Sequence, residues 1–146
     1  MKALSITRPW PELILRGKDI ENRSWTTRYR GPVLIHAAQS WAPDALAFAA
    51  MVAPDALNGV PPRDEHPTGI VGIAEIVGVC SNEMTDLSDD MTWAPCRCGP
   101  WAMAGQYHWK LTNVRRLPDP VPSRGALGLW TPSADVLAVL GVPDAE

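Results

Sequence analysis

A chain of 146 residues, 46% of them hydrophobic, is long enough to bury a core without disulfides or metals, which excludes global disorder. Three Cys cannot all pair, no apolar run reaches the ~18 residues that span a bilayer, and the first residues carry no signal-peptide core. The expectation is therefore a soluble, cytoplasmic protein with no membrane partner. The formal net charge of −3 divides unevenly: residues 1–31 hold seven cations against three carboxylates, a net +4, and residues 32–146 hold six against thirteen, a net −7. Such asymmetry suits a local anion-binding face on an acidic body and argues against wide, nonspecific coating of duplexes. Clustering on a solvated surface gives the same count.

Residues 3–6 (ALSI) read as a short strand. Pro9 and Pro11 suit the first turn of a helix, which Leu13, Ile14 and Leu15 continue and Gly17 ends as a left-handed cap. Residues 20–25 (IENRSW) alternate, so Glu21, Arg23 and Trp25 share one strand face with Lys18 at its mouth. A turn at Tyr29-Arg30-Gly31-Pro32 leads into a buried strand over residues 33–37. His36 lies within it, and a satisfied structural role and a site role both stay open. Pro43 and Asp44 open an Ala-rich helix to about Ala53, with Phe48, Met51 and Val52 as core contacts and Leu46 off that face. Residues 54–68, with Pro54, Gly59, Pro61, Pro62 and Pro67, read as a surface loop.

Residues 69–80 (GIVGIAEIVGVC) are the longest strand signal. Glu75 interrupts it, either paired or lining a cavity, or facing solvent on a one-sided sheet. An acidic loop over residues 81–95 and an irregular Gly-, Pro- and Trp-rich stretch to Gly105 follow. Residues 106–117 alternate as a strand, with Tyr107, Trp109 and Leu111 on one face and His108 and Lys110 on the other. Residues 125–131 give a last strand, and Ser133 caps a helix over 134–140 that Gly141 stops. The expected core is Leu4, Ile6, Leu13, Ile14, Val33, Ile35, Ile70, Ile73, Leu111 and Leu127. With no repeat, linker or β-α alternation, residues 1–146 read as one mostly β (α+β) domain. Its five or six short strands would form a barrel with two or three small helices over the openings.

The stretch from Arg8 to Gly31 concentrates chemistry: nine charged side chains, two Trp and one Tyr. Lys18 and Arg23 suit a phosphate or carbonyl oxygen, and Glu21 suits an exocyclic amine. Trp10, Trp25, Trp93 and Trp101 flank polar segments and offer stacking surfaces. An internal Lys–Glu–Arg network closing the barrel is the alternative. Cys96-x-Cys98, with Cys80 and His108, has poor zinc spacing and lacks a partner pair, so no metal is expected. No P-loop, dinucleotide fingerprint, nucleophile elbow or HExxH pattern occurs, so no cofactor is expected either.

Residues 3–38 (ALSITRPWPELILRGKDIENRSWTTRYRGPVLIHAA) resemble the opening of the ASCH family, the activating signal cointegrator homology domains. The family motif GxKxxExR is seen as Arg16-Gly17-Lys18-Asp19-Ile20-Glu21-Asn22-Arg23. Lys18, Glu21 and Arg23 match, and Arg16 stands at the first Gly. Ser5, Pro9-Trp10, Trp25, Tyr29-Arg30-Gly31 and the later GIVGIAEI and GALGLW segments are similar above all to the cointegrator-like branch. The resemblance implies a PUA-like β-barrel whose motif cleft binds RNA, single-stranded DNA or a nucleotide or nucleoside. The contacts expected from it together with the residue chemistry are Arg8, Trp10, Lys18, Glu21, Arg23, Trp25, Arg30 and His36. Some small bacterial members remove the acetyl group from N4-acetylcytidine, and others have been described as ribonucleases. A second expectation is thus a metal-independent hydrolase with Lys18 and Glu75 as acid–base pair. Glu21, standing where those amidohydrolases have Thr, would orient the substrate.

Overall fold

The computed structural model describes residues 1–80 and 98–142. Six strands and three helices run in the order β1 (Lys2–Arg8), α1 (Trp10–Leu15), β2 (Ile20–Arg23), β3 (Gly31–Trp41), α2 (Ala45–Val52), β4 (Gly69–Cys80), β5 (Tyr107–Val121), β6 (Leu129–Trp130) and α3 (Ala134–Leu140). The strands form one mixed sheet in the order β2-β5-β4-β3-β1-β6, curled into a half-barrel. β1 and β3 run parallel, with Ser5 opposite His36, and the other ladders are antiparallel. The mostly β class expected from the sequence is the one found.

Continuous apolar runs in β3 and β4 follow from burial on both faces of the sheet. Leu4, Ile6, Val33, Ile35, Ala74, Ile76, Trp109 and Leu111 pack with Ile14 of α1 on one side. Ala3, Leu34 and Ile70 pack with Leu137 of α3 on the other. A third cluster sets Leu13, Ile20 and Trp101 against Ala49 of α2. Both ends of α3 have a local cause. Ser133 Oγ accepts the Val136 amide at the start of α3, and Gly141 closes that helix at φ 71°.

Several expectations need correction. Leu127 is 97% exposed rather than core, because only Leu129 and Trp130 of the last predicted strand pair with β1. Met51 faces solvent, and Ala45 and Ala49 are the positions α2 buries, since small side chains let that helix sit close to the core. Ile73 is half-buried, packed against the α3 cluster. β3 and β5 extend past their predicted ends, to Trp41 and Val121. The loop predicted over 81–95, with Trp93 and Cys96, lies outside the described residues.

Candidate nucleic-acid interface

The motif begins where α1 stops. The amide of Gly17 donates to Ile14 O at 3.2 Å and that of Lys18 to Leu13 O at 2.9 Å. Those two bonds define a Schellman ending, and Gly17 takes the positive φ of 119° that it requires. The chain reverses there and turns Lys18 inward.

Lys18 is 1% exposed. Its ammonium donates to Ile20 O, donates to Glu21 Oε1 at 3.2 Å, and lies 5.1 Å from the Trp10 ring centroid. Arg23 Nε donates to Glu21 Oε2 at 2.9 Å, so both carboxylate oxygens are used. Burial pushes the Lys18 pKa below its ordinary 10.5, and the nearby Glu21 carboxylate offsets only part of that. The internal network weighed from the sequence is therefore present, with Arg23 as its partly exposed outer member.

A second buried carboxylate holds α1 to the sheet. Glu12 accepts two bonds from Arg116, at 2.9 and 2.7 Å, and one from Arg16 at 2.6 Å. Burial alone would raise its pKa, but the Arg116 and Arg16 guanidiniums overcome that and hold it below the ordinary value. Arg16 also donates to Asn58 O and Gly59 O. The residue at the motif's first Gly position thus anchors the loop after α2.

The remaining predicted residues scatter in role. Arg8 spends its guanidinium on the carbonyls of Ala38, Gln39 and His66. Trp10 packs edge-on against Phe48, and Trp25 edge-on against Trp109 at 4.7 Å. Trp101, a sequence candidate for stacking, is buried at 4% exposure. Arg30 is exposed and bonds Thr27 O and Tyr29 O. Glu75 is half-buried and accepts from Asn113 Nδ2 at 3.2 Å. Asn113 takes a left-handed φ of 51° beside the register shift opposite β4. Among the described residues no ion pair joins Glu75 to Lys18.

A cleft of about 1040 Å³ opens beside β1 and β3. Parallel pairing of β1 with β3 puts Ser5 beside His36 on one wall, and the segment from Pro120 to Leu127 forms the other. His36 Nε2 donates to Ser123 O at 2.8 Å, and its buried Nδ1 has no hydrogen-bond partner among the described residues. Lys18 and Glu21 do not line this cleft. Two predicted arginines grip its wall residues from behind, Arg23 through Ser5 O at 2.9 Å and Arg8 through Ala38 O at 2.9 Å. Among the described residues Arg124 is the one cation in the lining, and no carboxylate lines it. Arg124 and Ser123 were not singled out in the sequence, because no local pattern reports that their segment folds back over β1 and β3.

A curled mixed half-barrel with a buried Lys–Glu–Arg motif after its first helix is the fold expected of a PUA-like domain. The pattern that defines the ASCH domain matches residues 4–121, and the chain belongs to that family. No curated protein matches the chain.

Proposed function

We propose that this ASCH domain binds RNA, seating one single-stranded or modified nucleotide in the cleft between Ser5, His36 and Arg124. The observation that carries this reading is the cleft's lining, which among the described residues holds a cation and hydrogen-bonding groups and no acid on a chain of net charge −3. His36 adds support. Its ring lines the cleft beside Ser5 and is held there by the bond from Nε2 to Ser123 O. ASCH membership supports the choice of RNA, a ligand with which the family is generally linked. Within the family, Ser5, Pro9-Trp10 and Tyr29-Arg30-Gly31 support placement near the cointegrator-like branch.

The motif's part in this reading is indirect. Lys18 and Glu21 fix Arg23, and Arg23 fixes the backbone of Ser5 at the cleft wall. Fluorescence anisotropy with a short single-stranded RNA and its DNA counterpart tests the reading. Arg124→Ala is expected to weaken RNA binding several-fold, whereas Lys110→Ala on exposed β5 surface leaves it unchanged. Equal affinities in wild type and Arg124→Ala overturn it.

A further inference from the structure

Cys80, Cys98 and His108 converge although they are far apart in sequence. Cys80 ends β4, and its register partner on β5 is His108. Cys98 returns to the same place, and one ligand atom from each of the three lies within 4.8 Å of the other two. In a tetrahedral zinc site, with Zn–S about 2.3 Å and Zn–N about 2.0 Å, ligand atoms stand roughly 3.5–3.8 Å apart. The cluster therefore lies within about an ångström of that geometry.

Its surroundings hold it in place. His108 is 2% exposed, and its Nε2 donates to Met103 O at 2.6 Å. A carbonyl only accepts, so Nε2 carries the proton and Nδ1 offers the lone pair, as in metal-bound histidines oriented by a backbone carbonyl. Asn22, the register partner of His108 on β2, clamps the same loop from the other side. Its Nδ2 donates to Trp101 O at 3.0 Å, and its Oδ1 accepts the Met103 amide at 2.9 Å. Two thiols and an imidazole form a soft donor set that selects zinc over magnesium or calcium.

We infer that Cys80, Cys98 and His108 bind a zinc ion. The ion ties the end of β4 and the start of β5 to the Cys98–Met103 loop. Trp101 of that loop packs on Leu13 and Ile20, so the clasp also braces α1 and the turn into Lys18. Spacing alone argued against such a site, because the ligands meet through strand register and not through a local motif.

Elemental analysis of the purified, reduced full chain is expected to give about one zinc per protein. Cys80→Ser and Cys98→Ser each bring the ratio close to zero. Chelation lowers the melting temperature, and added zinc restores it. Cobalt titrated into the chelated wild-type chain reads the site without substitutions, giving thiolate-to-cobalt charge-transfer and tetrahedral d–d bands. Those bands vanish in Cys80→Ser. Absence of zinc together with absence of cobalt bands in the reduced wild type overturns the inference. So does a zinc ratio that stays near one in both Cys variants.

Discussion

Lys18 and Glu21 form an ion pair at 3.2 Å that is sealed from solvent, with side chains 1% and 6% exposed. The pair belongs to the interior of the domain, and Arg23 alone carries the motif outward. Removing one member of a buried pair leaves the other uncompensated, typically at about 3–5 kcal/mol. Arg23 still neutralises Glu21 here, so Lys18→Ala is expected at the lower end, about 3 kcal/mol by urea denaturation. A loss below ~1 kcal/mol, the size of a surface pair, contradicts the buried network. The sign of its pH dependence also follows. With its folded pKa below 10.5, the native state binds fewer protons than the unfolded chain between the two values, so Lys18 makes stability rise with pH across that window.

Glu12 acts in the opposite range. Its folded pKa lies below 4.5, so its contribution is fully present above 4.5 and is lost as pH falls through the folded value. Arg116 is half exposed, and screening reduces what that partner adds. Glu12→Gln is expected to cost about 1–2 kcal/mol at neutral pH, with the gap to wild type shrinking well below 4.5. Denaturation curves at the two pH values check it, and a gap that stays constant contradicts it.

Gly125 stands against the cleft floor. A methyl group there would come within 2.6 Å of Ser5 Oγ and 2.8 Å of His36 Cε1. Gly125→Ala is expected to displace the wall and weaken RNA binding several-fold while circular dichroism stays native. Unchanged affinity would place the ligand elsewhere.

Glu75 bonds Asn113 and not Lys18. Glu75→Gln is accordingly expected to leave RNA affinity unchanged and to alter no turnover of N4-acetylcytidine. Turnover by the wild type that this variant loses would favour the hydrolase reading.

How much was legible in the sequence depended on the range of the interaction. Gly17, Lys18, Glu21 and Arg23 follow one another closely, and a local turn decides where they point. Ser133 and Gly141 were readable for the same reason. Leu127 was misjudged because GALGLW has the composition of a strand, while only a ladder partner makes it one. The cleft was invisible because it depends on Ser5 meeting His36 across a parallel pair and on Arg124 folding back from far along the chain. The meeting of Cys80 with His108 has the same non-local origin.

The proposed RNA site is the cleft that Arg124 and its neighbours line on this acidic chain. A salt titration of binding to a short single-stranded RNA tests it most directly, with wild type beside Arg124→Ala. Affinity is expected to fall as salt rises, and the variant to bind more weakly with a log–log slope smaller by about 0.7, one phosphate contact. Binding that is independent of salt, or identical slopes in the two proteins, would contradict it.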